Sequence, residues 1–142
     1  MHVIRREQPL SVPGAKLSHG TTAVARGPES AGRLAGKGLS QMAYAYIGSM
    51  RTKAGCRDEV IALLLSGADG LRAAGCQVYA VCTDPADSDV IWVSEVWDSA
   101  EAHAASLRLP ETKAAIGAAM PMLAGEFTRQ ELIVAGGLGV HA

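Results

Sequence analysis

The segment VIWVSEVWDSAEAH, residues 90–103, holds the side chains in this sequence whose types and spacing could support proton transfer. Glu95 lies two residues before Trp97 in an otherwise apolar run, and His103 follows six residues after that tryptophan. A carboxylate among apolar groups has a raised proton affinity and becomes a candidate general base near neutral pH. Glu95 and His103 are therefore candidate proton acceptors, and Trp97 is a candidate aromatic wall beside them.

Each of these residues also has a structural interpretation. A strand tryptophan such as Trp97 is more often part of a core than of a site. A buried carboxylate is costly unless it is paired, so Glu95 could have a structural partner such as Arg108 or Arg129. His103 could be an ordinary residue near the start of an exposed helix.

Apolar periodicity predicts the elements that hold these side chains. The apolar run at 42–50 predicts a first strand. A helix follows, with Asp58 and Glu59 in its first turn, where they complement the positive end of the helix dipole. Its apolar stripe recurs at helical spacing through Val60, Leu63, Leu64, Ala68 and Leu71.

The second half of the sequence predicts three further strands and a helical region. The strands fall within 73–84, 89–98 and 126–135. Ser99 can cap a helix after the third strand, Pro110 can open another helical segment, and Gly125 ends that region. The glycine-rich terminus, 136–142, is predicted to fray.

The resulting order is strand, helix, strand, strand, helix, strand. This order predicts an α+β fold of the ferredoxin-like (βαββαβ) type, an antiparallel sheet with its helices on one face. Alternation along the third strand places Ile91, Val93, Glu95 and Trp97 on one side, and Val90, Trp92, Ser94 and Val96 on the other. Both sides are largely apolar and helices cover only one, so a second subunit is expected over the other.

Charge divides the chain into two parts. Residues 1–41 carry a net charge of +4, are rich in glycine and serine, and lack apolar periodicity, so a disordered N-terminal extension is predicted there. Residues 42–142 carry a net charge of −5 and are predicted to form one folded domain, which disfavours nucleic-acid binding. The three cysteines form no CxxC pair, and no apolar run is long enough to span a bilayer. A soluble, reduced, cytoplasmic protein without a membrane partner is expected.

The run EVWDSAEAHAASLRLPETKAAI, followed by AMPMLAGEF and a terminal GG, resembles the antibiotic biosynthesis monooxygenase family, whose members are also called quinol monooxygenases. The resemblance extends from about Met42 to Gly139. It implies a dimeric α/β barrel in which two ferredoxin-like subunits pack sheet to sheet. It also implies a pocket between the sheet and the helices of each subunit.

The resemblance further implies a function, which is oxidation of a quinol-like or phenolic small molecule by molecular oxygen as co-substrate, without metal, flavin or haem. The residues assigned to catalysis are Glu95 and His103. Those assigned to binding the aromatic substrate are Trp97, Val93, Tyr46, Tyr79 and Leu107. Tyr44 remains a further candidate, because whichever strand tyrosine faces the pocket could bind a substrate oxygen.

Two departures from the family pattern limit what the resemblance implies. Members that tailor polyketides have an asparagine and a tyrosine at the positions of Val93 and His103, and this chain has no asparagine. Haem degradation is disfavoured, because the positions that need a tryptophan and an axial histidine hold Ser106 and Ile116. The alternative function is a dimeric protein that binds a small molecule without catalysis.

Overall fold

The computed structural model describes residue 38 and residues 41–142, and it confirms the ferredoxin-like order of elements. The strands are β1 (Tyr44–Thr52), β2 (Cys76–Thr83), β3 (Val90–Trp97) and β4 (Leu123–Ile133). The helices are α1 (Arg57–Ser66), α2 (Ala68–Ala73), α3 (Ala100–Ser106) and α4 (Pro110–Ala119), with a 3₁₀ turn at Met120–Met122. The four strands form one antiparallel sheet in the order β2-β3-β1-β4.

The helices cover one face of this sheet, as the sequence predicted. The buried core joins Val60 of α1 and Ala119 of α4 to Ile91 and Val93 of β3. Trp97, on the same face of β3, is only 1% exposed. On the opposite face, Trp92 is 37% exposed. The alternation predicted for the third strand is therefore confirmed.

The first helical region differs from its prediction as a single helix. It divides at Gly67, so that Leu71 lies in α2 rather than at the end of α1. Only Val60 of the predicted stripe is fully buried, and the remaining members are partly covered. Apolar periodicity alone does not resolve such a break, because Leu71 keeps the helical spacing of the stripe across it.

The last strand begins earlier than predicted, at Leu123 rather than at 126. Its pairing with β1 shifts register between Met50 and Thr52, which are opposite Phe127 and Leu123 respectively. Gly125 lies in this irregular stretch with a φ of 86°. A β-bulge of this kind commonly uses a glycine at positive φ, so Gly125 belongs to the strand and does not end the preceding helix.

Two local signals correctly predicted the helical region that carries His103. The Ser99 hydroxyl oxygen accepts a hydrogen bond from the Ala102 amide at 3.1 Å and so caps α3. Pro110 is the first residue of α4, where its missing amide hydrogen is not needed. These signals determine where the chain turns after β3, and therefore place His103 one turn into α3.

The predictions for the two ends of the chain have different outcomes. The prediction for residues 1–41 falls almost entirely outside the described residues. The predicted fraying of the C-terminus is wrong at His141, because the Gln77 side chain accepts from its amide at 2.7 Å and donates to its carbonyl oxygen at 3.0 Å. In the described part of the chain, no helix has the length and apolar character needed to span a membrane.

Candidate active site

A cavity of about 350 Å³ lies between the sheet and the helices. The residues assigned to catalysis and substrate binding line it, namely Tyr46, Tyr79, Val93, Glu95, Trp97, His103 and Leu107. The further candidate Tyr44 is not among the lining residues. Most of the other wall residues are apolar, among them Met50, Leu63, Leu64, Ile116 and Phe127. The structure therefore brings the predicted residues together around one largely apolar space.

Glu95 reaches this cavity from the buried face of β3. Its side chain is only 12% exposed, and its Oε2 accepts a hydrogen bond of 2.7 Å from Nε1 of Trp97. The two residues are two apart on one strand, so they point to the same face and can make this bond. Burial raises the pKa of Glu95 above its ordinary value of 4.5, and the bond from Trp97 opposes part of that rise.

His103 reaches the same point from α3. Its Nε2 lies 3.5 Å from Oε2 of Glu95, and its side chain is 14% exposed. Burial lowers the pKa of His103 below 6.5; the charge of Glu131 opposes this shift and that of Arg129 adds to it. The imidazole is therefore neutral at neutral pH, with a nitrogen available to share a proton with the carboxylate.

Three aromatic rings surround the His103 imidazole. Tyr44 and Tyr46 lie with ring centroids 5.2 and 5.4 Å away, and Trp97 presents an edge at 5.5 Å. The Tyr46 ring is nearly parallel to the imidazole, with 22° between the planes. These contacts fix the orientation of the histidine and limit its access to water.

Among the described residues, no arginine forms an ion pair with Glu95. Of the two arginines considered as its structural partners, Arg129 instead lies 3.6 Å from Glu131, a neighbour on β4. Within the part of the chain that the structure describes, Glu95 has polar side-chain contacts with Trp97 and His103, both of which line the cavity. The structure thus gives the carboxylate partners that leave it available to a molecule in the cavity.

Comparison with known proteins assigns the chain to a family. The family model described as antibiotic biosynthesis monooxygenase matches residues 43–118. The chain belongs to the antibiotic biosynthesis monooxygenase family. Among curated proteins, none matches the sequence.

Solved structures agree with this assignment to the antibiotic biosynthesis monooxygenases. A candidate antibiotic biosynthesis monooxygenase from Chloroflexus aurantiacus J-10-fl is 44% identical, covers 70% of this chain and 99% of its own, and has a TM-score of 0.63. Another from Caulobacter crescentus CB15 is 23% identical, covers 67% of this chain and 92% of its own, and has a TM-score of 0.62. A conserved protein of unknown function from Bacteroides thetaiotaomicron is 19% identical, covers 66% of this chain and 99% of its own, and has a TM-score of 0.59. At these lower identities the last two show the shared fold alone.

The tyrosines of this antibiotic biosynthesis monooxygenase family member have different environments. The Tyr79 hydroxyl donates to the Leu64 carbonyl oxygen at 3.4 Å, and burial is the main reason that its pKa rises to about 12. Burial, followed by a hydrogen bond to Glu131, also raises the pKa of Tyr44 to about 12. Burial raises the pKa of Tyr46 too, so all three phenols are protonated at neutral pH.

Sequence reasoning left some site residues unassigned in this family member. Arg129 and Glu131 line the cavity from β4, and Gly48 lines it from β1. The two-residue alternation of β4 predicts that Arg129 and Glu131 share one face of the sheet. It does not predict which face of the sheet meets the helices. Within the described residues, no three His, Cys, Asp or Glu side chains are grouped as a metal site.

Proposed function

We propose that this protein is a cofactor-independent monooxygenase that oxidises a quinol-like or phenolic small molecule with molecular oxygen. The observation that carries the proposal is the partly buried Glu95–His103 pair, 3.5 Å apart, on the wall of a largely apolar cavity. Such a pair can take a proton from a neutral phenol, and the family to which the chain belongs has oxygenation as its named activity.

Deprotonation is the step that the protein must supply. Direct reaction of oxygen with a closed-shell organic molecule is spin-forbidden, but an electron-rich phenolate can give one electron to oxygen and form a phenoxyl radical and superoxide. These combine at a ring carbon that carries a hydrogen atom, and the resulting peroxide anion takes back the proton that the base removed. The hydroperoxide then loses water to leave a second carbonyl. The net reaction converts a phenol and O₂ into a quinone and water, so one oxygen atom enters the product.

Glu95 is the proposed base, and His103 is its partner. The raised pKa of Glu95 brings its basicity closer to that of a phenol, which favours proton transfer at neutral pH. The neutral imidazole beside it can then share the acquired proton. The aromatic part of the substrate would lie against Trp97 and Val93, while Tyr46 and Tyr79 provide phenolic groups near its oxygens.

The apolar walls serve the later steps. A cavity of about 350 Å³ lies at the lower end of the range for small-molecule sites, which fits a compact aromatic substrate. Exclusion of water also keeps superoxide close to the phenoxyl radical until the two combine. Leu107 is 46% exposed at the edge of the cavity, where it would contact the less buried part of the substrate.

A homodimer completes the proposal. The sheet face away from the helices carries the partly exposed side chains Ile47, Val78, Trp92 and Leu132, each at least 37% exposed. Their registers place them on the same face of the four adjacent strands, with polar residues such as Ser49 and Ser94 between them. A second copy of this chain, packed sheet to sheet, is the proposed cover.

The test is oxygen consumption by the purified full chain with a panel of quinols and phenols, in the presence of a chelator and without added flavin. We expect one O₂ consumed per quinone formed and one ¹⁸O atom from ¹⁸O₂ in the product. Control reactions without protein correct for autoxidation. Turnover that stops with chelator contradicts the cofactor-independent mechanism. Tight binding of a phenol without oxygen uptake instead supports the non-catalytic binding protein.

A further inference from the structure

Gly48 lies in the part of β1 that forms the floor of the cavity. It shares the helix-facing side of the strand with Tyr46 and Met50, and its neighbours across the sheet are Val93 and Arg129. It is buried, and its φ is not in the positive range. Its backbone conformation is therefore one that any residue can adopt, so the need for glycine here must come from space.

The space is taken by the Tyr46 ring. A Cβ atom at position 48 would lie 2.8 Å from both Cε1 and Oη of Tyr46, and 3.0 Å from the Thr128 carbonyl oxygen. Non-bonded contacts this short do not persist, so a side chain at 48 must displace one of these groups. Glycine within a strand often marks such a close approach, and here the Tyr46 phenol lies directly over the backbone.

The same phenol ring also packs on His103. Its ring lies nearly parallel to the imidazole at 5.4 Å, and that imidazole is 3.5 Å from the Glu95 carboxylate. Tyr46 thus contacts both the glycine backbone and the partly buried histidine. We propose that Gly48 is a positioning residue, whose missing side chain keeps Tyr46 packed on His103 and so keeps water away from the Glu95–His103 pair.

The proposal predicts what a methyl group at position 48 does. The Thr128 oxygen belongs to the paired backbone of β4, whereas Cε1 and Oη are the far end of a side chain, so the Tyr46 ring is the group that moves. His103 then becomes more exposed, and its pKa rises toward 6.5 because burial is the main cause of its lowered value. The titratable and charged groups facing it on the neighbouring strands are Tyr44, Tyr46, Glu95, Arg129 and Glu131.

The experiment is an NMR titration of the His103 imidazole, which needs no substrate. The resonance is assigned by its loss in His103→Gln. We expect the pKa of His103 to be higher in Gly48→Ala and in Tyr46→Ala than in the wild type. The double variant should show no increase beyond Tyr46→Ala, because the ring on which position 48 acts is then absent. Gly70→Ala is the matched control, since a Cβ there has no neighbour within 4 Å.

Activity provides a second measurement, and its interpretation rests on the proposed function. With a turned-over quinol, Gly48→Ala should lower kcat by about 10- to 100-fold, the scale of a displacement of about 1 Å near the reacting groups. The acid limb of the profile of kcat against pH for Gly48→Ala should also move to higher pH, together with the pKa of His103. If no substrate is ever found, the titration still tests the role of Gly48, so the two proposals can fail separately.

An unchanged titration of His103 in folded Gly48→Ala would overturn the proposal, as would an unchanged titration in Tyr46→Ala. If Gly48→Ala does not fold, the double variant decides, because removal of the Tyr46 ring should restore folding. A double variant that also fails to fold would mean that the contact with the Thr128 oxygen, and not the Tyr46 ring, requires glycine at this position.

Discussion

Replacing Glu95 with glutamine separates a catalytic carboxylate from a structural one. The amide oxygen of Glu95→Gln can still accept the 2.7 Å hydrogen bond from Trp97 Nε1. The same oxygen position lies 3.5 Å from His103 Nε2, so the amide oxygen that accepts from Trp97 also occupies the place of the Oε2 that faces the imidazole. The shape of the side chain and its hydrogen bond from Trp97 are thus kept, while the charge and basicity of the group are lost.

The expected loss of activity follows from the role of a general base. Removal of such a group lowers turnover by about 100- to 10,000-fold, or about 2.7 to 5.4 kcal/mol of transition-state stabilisation. His103→Gln should cost less if Glu95 is the base. The reverse order would assign the base to His103 and leave Glu95 as the group that orients it.

The expected effect on stability has a definite sign. Burial raises the pKa of Glu95 in the folded protein. The carboxyl therefore contributes stability below its unfolded pKa, and that contribution is lost as pH rises through the folded value. Glutamine does not ionise, so Glu95→Gln should be as stable as the wild type or more stable at pH 8.

The assay combines oxygen uptake with urea denaturation at pH 8, and the control is Glu59→Gln. Glu59 is an exposed residue in the first turn of α1, so its change should leave turnover intact. The catalytic assignment predicts low activity and an unchanged or higher urea midpoint for Glu95→Gln. A lower midpoint with unchanged activity per folded molecule would refute the reasoning and make Glu95 a structural partner of Trp97.

Three further predictions concern assembly, the β4 bulge and pH. Sedimentation should give twice the chain mass, and Trp92→Asp should dissociate or unfold the dimer by burying an unpaired charge; a wild-type monomer at micromolar concentration would contradict this. Gly125→Ala should lower the free energy of unfolding, measured in urea, by about 1–2 kcal/mol, since the φ of Gly125 is 86°. The control Gly70→Ala should not lower it. A urea midpoint of Gly125→Ala equal to that of the wild type would contradict strain at this position. Because burial lowers the pKa of His103, wild-type stability should fall as pH drops below 6.5. His103→Gln should flatten that part of the curve of stability against pH, and an unchanged slope would show that other groups cause it.

The sequence by itself determined the features that depend on neighbours along the chain. The two-residue period of β3 places Glu95 and Trp97 on one face whatever surrounds them, and the structure has them hydrogen-bonded there. Ser99 and Pro110 mark the starts of α3 and α4 through local capping, and both predictions are confirmed. The order of elements, and with it the ferredoxin-like fold, follows from such local signals.

Only the tertiary structure decided which residues meet from different elements. The register of β1 against β3 places Tyr44 opposite Trp97 and Tyr46 opposite Glu95. The packing of α3 then brings His103 against these side chains. Neither result follows from periodicity, because register and helix placement depend on how whole faces fit together.

The same reason explains the predictions that were wrong. The division of the first helical region at Gly67, the bulge at Gly125 and the attachment of His141 to Gln77 were not predicted, and the last two depend on contacts between segments distant in sequence. The local sequence allowed a continuous helix, a turn and a frayed end at these positions. Packing and pairing across the fold selected the conformations that occur, because the free energy they supply exceeds the small local preferences of a few residues.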